Sequence, residues 1–399
     1  MFLSLKIQKY LSFIYFLALL PLFCISYLNA SSMSMGIISF SIVIYIINYK
    51  YWNYLFYMKK KFALLIILFL SYTIISSVIT NNFLNLKAYL SLVSLFFVFG
   101  AAYLISFIIK DLNEIFLYKT IKYMFLVFTI FGLYHILFIG GARNIFPFSE
   151  ASHYALFLGP FSVLLYVLST SKILKFLIVF LLILLGMLFP NITILTYAFL
   201  IFLLHIKLNI KNIILISLGG IIFVNIIVNN IYFYERIFFW NEQSSKNLSS
   251  LVYLQGIQDA YYSFVSTNGI GIGFQQLGTQ KPSEAGVIIQ EILGNDTGLN
   301  RQDGGFTAAK LIAELGFFGL LLLVLYFRIF KKSLIYLSSY IQSKRYDLRL
   351  TISYSFIYSY LIELFVRGAG YFTQGSFLFF FAISYLFIRK NSENPNNSQ

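Results

Sequence analysis

Three residues with complementary chemistry lie within one short stretch of the chain: Arg143, Glu150 and His153. A guanidinium binds anions, and a carboxylate or an imidazole can take a proton from a hydroxyl group in general base catalysis. Glu150 and His153 are three positions apart, so they share one face if this stretch is helical. Glu150 is the only acidic residue between Glu114 and Glu235, so we favour a functional site here over an interfacial cluster that anchors helix ends.

Two further pairs of opposite charges have helical spacing. Lys310 and Glu314 are four positions apart, and so are Glu363 and Arg367; both spacings predict ion pairs on one helix face. The glycine-rich segment RGAGYFTQG begins at Arg367, which makes this arginine a candidate for an anion site as well. Three scattered histidines and a single cysteine give no metal-site spacing, so we expect neither a metal nor another cofactor.

The composition predicts that a membrane protein carries these residues. Of 399 residues, 59% are hydrophobic and 11% are charged, and the mean hydropathy is +0.82. A soluble domain has about 25% charged residues, so the composition excludes a soluble enzyme, a secreted disulfide scaffold and a disordered protein. The net charge of +15 comes from Lys and Arg residues that gather in alternate connections, which is a topology signal and not a nucleic-acid surface.

Apolar stretches long enough to cross a hydrocarbon core of ~30 Å recur about twelve times along the chain. They lie at 10–28, 35–56, 62–80, 88–109, 121–140, 154–170, 173–189, 191–206, 212–229, 307–330, 350–366 and 374–388. The distribution of Lys and Arg predicts that both termini are cytoplasmic. The expected organisation is nine transmembrane helices in 1–229, a large loop in 230–306, three transmembrane helices in 307–388 and a cytoplasmic tail in 389–399.

The loop at 230–306 interrupts the series of apolar stretches. It holds half of the 14 acidic residues and is too long to be structureless, so we expect a partly helical periplasmic lid. Within it, YERIFFWNEQSSKNLSSLVYLQGIQDAYYSF is predicted to be helical, with a start near NLSS. The run GIGIGF lacks the spacing and context of a dinucleotide-binding fingerprint, and we interpret it as turn geometry.

The chain resembles a known family in three segments: FPFSEASHYALFLGP, NGIGIGFQQLG and QDGGFTAAKLIAELGFFGL. In this order, around many spans and one large outer loop, they resemble the bacterial O-antigen and capsule repeat-unit polymerases of the Wzy type, which are related to the O-antigen ligases. The resemblance covers the layout of the whole chain, and its specific motifs cover a small part of it. It implies an all-α polytopic inner-membrane protein, similar to the glycosyltransferase type C group, that acts in lipopolysaccharide or capsule biosynthesis.

The resemblance also implies a reaction and its residues. A growing glycan would move from its polyprenyl diphosphate onto a new lipid-linked repeat unit at the periplasmic face, with a flippase and a chain-length regulator as candidate partners. Fixed cations stabilise a diphosphate leaving group. The candidate diphosphate clamp is therefore the set of outer arginines, Arg143, Arg236, Arg301 and Arg367. Glu150 and His153 are the first candidates for the base, and Asp303 is the runner-up.

Three alternatives stay open. The related ligases carry a catalytic His near the end of the large loop, and the stretch NRQDGGFTAAK has none here, which favours a polymerase over a ligase. A flippase or other transporter fits about twelve spans, but it is expected to have matching halves with paired broken helices near mid-membrane. The third alternative is a structural partner in an envelope assembly, for which substitution of the outer arginines leaves glycan length unchanged.

Overall fold

The computed structural model describes residues 5–18, 21, 24, 32–57, 60–80, 85–140, 145–148, 150–205, 214, 217–218, 220–221, 229, 231–238, 247–294, 300–343 and 347–392. Within these ranges the protein is helical and contains no strand, as predicted. The α-helices are α1 (Leu5–Leu17), α2 (Met33–Ile47), α3 (Lys60–Ile79), α4 (Leu86–Ile108), α5 (Glu114–Tyr134), α6 (Ala151–Leu168), α7 (Lys172–Leu188), α8 (Ile192–Leu203), α9 (Ile231–Ile237), α10 (Leu248–Ser266), α11 (Glu284–Leu293), α12 (Thr307–Ser343), α13 (Leu348–Phe365) and α14 (Gln374–Ser392).

Among the described residues, four helical segments are long and apolar enough to cross a membrane. They are Leu86–Asp111, Glu114–Ile139, Ala151–Leu168 and Thr307–Gln342. A fifth candidate is the pair Met33–Ile47 and Tyr49–Phe56, which is bent by 102°. The protein is thus a helical membrane protein. The other predicted spans fall on shorter or more polar helices or, for 212–229, mainly on residues outside the described ranges, so the number of twelve stays a prediction.

Helix α6 is the most enclosed candidate span, with 83% of its length buried against 33% for the Glu114–Ile139 span. Its sequence is apolar on nearly every face, and a helix of that kind is stable only when other helices surround it. One contact that fixes it is the hydroxyl of Tyr154, which donates to the carbonyl of Phe128 in α5 at 2.9 Å. The first turn of α6 is therefore held in place by the helices around it.

Helix α13 packs beside α6 and connects two ends of the protein. Its 18 residues have a length of about 27 Å at 1.5 Å per residue, close to the ~30 Å of a hydrocarbon core. Arg349 lies at its start, and Arg367 follows its end. We call the two groups of residues around these arginines the Arg349 end and the Arg367 end.

The GIGIGF run forms the turn geometry that we inferred for it. Gly269, Gly271 and Gly273 have φ values of 81°, 86° and 97°, in the left-handed region that favours glycine. The run packs against a break in α12 at Gly316, which has φ 53° and ψ −127°. A Cβ atom on Gly316 would lie 1.9 Å from the carbonyl oxygen of Gly269, so neither backbone leaves room for a side chain.

The described residues of 230–306 are partly helical, as predicted. The start near NLSS is confirmed because Asn247 caps α10, its side-chain oxygen accepting hydrogen bonds from the backbone N–H groups of Ser249 and Ser250. The amide of Asn247 also donates to the carboxylate of Glu235 at 2.8 Å, and the hydroxyl of Ser250 donates to the Glu235 carbonyl at 2.7 Å. These bonds attach the short helix α9 to α10 and so position the side chains of α9.

Candidate functional site

The segment that connects α13 to α14, residues 366–373, lies at the centre of the candidate site; we call it the connecting segment. Its Arg367 forms a salt bridge with Glu150, with Nη2 and Oε2 separated by 3.2 Å. The prediction that Arg367 pairs with Glu363 is therefore wrong. The reason is that α13 ends at Phe365, so Arg367 no longer shares the helix face on which Glu363 lies.

A second arginine lies near the Arg367–Glu150 pair. The guanidinium of Arg236, in α9, lies 4.1 Å from the centre of the Tyr232 ring and donates to the hydroxyl of Ser249 at 3.0 Å. Burial lowers the pKa of Arg236, and the nearby charge of Arg367 lowers it further. Its Nε is buried and has no hydrogen-bond partner among the described residues.

The first turn of α6 contributes the carboxylate and the imidazole. Glu150 precedes the helix and is about half exposed, and the hydroxyl of Ser152 donates to its carboxylate at 2.9 Å. Burial acts to raise the pKa of Glu150, but the charges of His153 and Arg367 and the Ser152 hydrogen bond together lower it. A carboxylate with a lowered pKa is a weaker base. His153 is half-buried in the same turn, and both residues stay candidates for the base.

The structure thus brings four of the predicted residues together at the Arg367 end. We call Glu150, His153, Arg236 and Arg367 the Arg367 cluster. It contains two guanidinium groups and one ionised carboxylate, so its charge is positive when the imidazole is neutral. An arginine pair of this kind can bind the oxygens of a phosphate or diphosphate through charge-assisted hydrogen bonds.

The other predicted site residues lie elsewhere. Asp303 packs against the connecting segment, because a Cβ atom on Gly370 would lie 3.2 Å from its Oδ1. Arg301 instead donates to the carbonyl of Gln280, inside the loop, and its contribution to a clamp stays a prediction. Arg143 lies outside the described residues.

The predicted Lys310–Glu314 ion pair is confirmed, with Nζ and Oε1 separated by 3.4 Å and both side chains buried. The Glu314 carboxylate also accepts a hydrogen bond from the hydroxyl of Tyr371 at 2.8 Å, and the Lys310 ammonium lies 5.2 Å from the centre of the Tyr371 ring. Lys310 donates in addition to the carbonyl of Gln302. The pair therefore fastens the connecting segment to the end of the loop, in agreement with a structural role.

Sequence reasoning missed a group of polar residues behind the cluster. Glu363, Thr373 and Gln374 line a small cavity together with His153. The hydroxyl of Thr373 donates to the carboxylate of Glu363. A charged residue buried in the interior of a helical membrane protein is a signal of function, and Glu363, 2% exposed, carries that signal. The sequence reasoning missed this signal because the predicted ion pair with Arg367 accounted for the charge of Glu363.

Comparison of the chain with protein-family models, with curated proteins and with solved structures finds no match. In the part of the chain that the structure describes, no group of three or more His, Cys, Asp or Glu side chains could hold a metal ion. The function is therefore inferred from the chemistry of the Arg367 cluster and its position at the end of apolar helices.

Proposed function

We propose that this protein is an oligosaccharide repeat-unit polymerase of bacterial O-antigen or capsule biosynthesis. In this proposal it has about twelve spans, a fold of the glycosyltransferase type C group and both termini in the cytoplasm, and it acts at the periplasmic face of the inner membrane. The observation that carries the proposal is the Arg367 cluster, in which the Arg367–Glu150 salt bridge lies near a second guanidinium, that of Arg236, and beside an imidazole.

The cluster has the groups that a transfer from a polyprenyl diphosphate requires. When the bond between the anomeric carbon and the diphosphate breaks, negative charge grows on the leaving oxygen, and fixed cations stabilise it most in a partly dry site. Arg236 and Arg367 serve this purpose, since a guanidinium binds two phosphate oxygens at once and stays protonated. His153 takes the proton of the attacking sugar hydroxyl, and Glu150 holds Arg367 in place.

The position of the cluster suits a lipid-linked substrate. The polyprenyl chain must lie in the bilayer while its diphosphate stays at the interface. Arg367 follows α13, whose length of about 27 Å nearly matches a hydrocarbon core. Arg236 comes from the loop side, on α9, and is held there by the bonds between α9 and α10. The clamp thus has one arm on the segment that follows α13 and one arm on the loop.

The proposal is tested by the glycan ladder of a deletion strain on a gel. We expect the deletion to leave a lipid core with one repeat unit and the wild-type gene to restore long chains. His153→Gln should not restore them. His205→Gln is the matched control, because His205 contacts Tyr166 outside the cluster and should support normal chains. Expression of each variant is checked in isolated membranes.

Two results would contradict the polymerase. A bare core with accumulated lipid-linked polymer in the deletion strain identifies a ligase. Repeat units that never reach the periplasmic face identify a flippase. Long chains in the strain with His153→Gln would show that His153 is not the base, without contradicting the polymerase.

A further inference from the structure

His153 and Glu363 line the same small cavity, between the first turns of α6 and the connecting segment. Its volume is about 30 Å³, and apart from these two residues and the polar side chains of Thr373 and Gln374 its wall is mostly apolar. A cavity of ~10–15 Å³ can hold a water molecule if two to four polar groups surround it. This cavity therefore has room for water, and polar groups from α6, α13 and the connecting segment line it.

The polar groups around the cavity lack partners within the described residues. His153 Nδ1 and Gln374 Nε2 are buried without a hydrogen bond there. Glu363 is 2% exposed and accepts a hydrogen bond from Thr373, but it forms no salt bridge in the described part of the chain, since Arg367 pairs with Glu150. Buried polar groups are nearly always hydrogen-bonded. A water in this cavity can form hydrogen bonds with both nitrogens and with the carboxylate of Glu363.

We propose that Glu363 is a positioning residue that orients His153 through water held in this cavity. The water accepts hydrogen bonds from His153 Nδ1–H and from Gln374 Nε2, and it donates to the carboxylate of Glu363. This arrangement fixes the histidine tautomer that carries its proton on Nδ1, because the hydrogen bond of one ring nitrogen determines the state of the other. Nε2 then has its lone pair available for a proton.

The inference rests on the proposed function for one point, the identity of the group that gives up this proton. When the hydroxyl oxygen of the incoming sugar attacks the anomeric carbon, a new C–O bond forms. The bond from that carbon to the diphosphate breaks, and the diphosphate leaves with the electron pair. His153 Nε2 takes the hydroxyl proton, and the carboxylate of Glu363 stabilises the imidazolium through the water.

Other charged and titratable groups face the two residues from neighbouring elements. His153 has Glu150 and Arg367 beside it, with opposite effects on its charge. Glu363 faces the phenol groups of Tyr197 in α8 and Tyr360 in its own helix, which are uncharged at neutral pH. Because Glu150 forms a salt bridge with Arg367, Glu363 is the carboxylate that remains to orient the imidazole through water.

Nitrogen-15 NMR of histidine-labelled, full-length protein in lipid nanodiscs tests the inference without any substrate. The chain has 3 histidines, and a His153→Gln variant assigns the signals of the residue of interest. We expect the Nδ1–H tautomer in the wild type and a fall in its population of about twofold or more in Glu363→Gln. Glu363→Asp keeps the carboxylate and should restore part of the Nδ1–H population. Glu114→Gln removes a carboxylate at the Arg349 end, away from the cavity, and should leave the His153 signals unchanged.

The same variants are then compared in a polymerisation assay. Glu363→Gln should slow chain growth by about 100-fold, with partial recovery in Glu363→Asp. An Nε2–H tautomer in the wild type, or a tautomer that does not respond to Glu363→Gln, overturns the inference even if the protein is a polymerase. If Glu363→Gln does not fold, the wild-type spectrum still tests the inference, because an Nε2–H tautomer there overturns it. If the protein proves not to be a polymerase, the NMR result still decides whether Glu363 orients His153.

Discussion

The Arg349 end and the Arg367 end of the molecule pair their charges differently. At the Arg349 end three cations each have a carboxylate of their own: Lys9 pairs with Asp111 at 2.5 Å, Arg349 with Glu114 at 3.0 Å and Arg389 with Asp347 at 2.7 Å. At the Arg367 end, Arg367 pairs with Glu150, and the second guanidinium nearby, Arg236, forms no salt bridge among the described residues. Each of these three pairs is electrically balanced, and the Arg367 cluster has more cations than anions.

This difference separates a structural role from a binding role. Exposed one-to-one ion pairs contribute about 0–1 kcal/mol and leave nothing to attract a further charge. Two partly buried guanidinium groups with one carboxylate repel each other, and a bound anion removes that repulsion. We therefore expect changes at the Arg367 end to affect activity and changes at the Arg349 end to affect only stability.

The largest effect is expected for Arg367→Ala. Loss of a group that stabilises the charge of the leaving diphosphate should lower the polymerisation rate by about 10²–10³-fold, and the glycan ladder should shrink to a single repeat unit. Arg389→Ala, at the other end, is the matched control and should keep the ladder. Equal loss in both variants, at equal expression, would show that the two ends do not differ in role.

A smaller effect is expected for Arg236→Lys. Lysine keeps the positive charge but loses the planar fork that binds two phosphate oxygens and stacks on Tyr232. We expect a rate about tenfold lower than that of the wild type, between the wild type and Arg367→Ala, measured as polymer formed from lipid-linked repeat units. A wild-type rate would mean that Arg236 supplies only general positive charge.

The pH dependence of stability sharpens the comparison further. The pKa of Glu150 in the folded protein is lower than its ordinary value of 4.5, so its ion pair stabilises the folded state at neutral pH. That contribution is lost as the pH falls below 4.5 and through the lower folded pKa. The Tm of the wild type should exceed that of Glu150→Gln at pH 7, and the difference should vanish in acid. A difference that grows on acidification would contradict the ion pair.

The smallest effect is expected for Asp111→Ala at the Arg349 end. Its partner Lys9 is on a different helix, and the Asp111 side chain is 58% exposed. Loss of such a pair should lower the free energy of unfolding by about 1 kcal/mol or less, visible as a small shift in Tm in detergent. The glycan ladder should stay unchanged. Loss of long chains in this variant would place an unexpected functional role at the Arg349 end.

Local features of the fold could be predicted from the sequence because they depend on neighbouring residues. The apolar helices, the cap at Asn247, the turns of the GIGIGF run and the Lys310–Glu314 pair all follow from spacing within a few positions. The same reasoning failed for Glu363 and Arg367, since it assumed a continuous helix where α13 ends at Phe365.

The rest of the site depends on tertiary packing. Tyr371 meets Glu314 from 57 positions away, and Arg367 meets Glu150 from 217 positions away. Helical and strand periodicities in a sequence do not predict contacts between residues so far apart in the chain. The cavity shared by His153 and Glu363 also arises only when α6, α13 and the connecting segment pack together, so its polar lining could not be inferred from the chain alone.

The central claim is that the Arg367 cluster transfers glycans from a lipid diphosphate. Its most direct test is a reaction in nanodiscs between the purified protein and lipid-linked repeat units extracted from the deletion strain, with mass spectrometry of the products. We expect the wild type to release polyprenyl diphosphate and to form glycans of two or more repeat units, and Arg367→Ala to form neither at a detectable rate. Equal product from both proteins, or no product from the wild type with intact substrate, would contradict the claim.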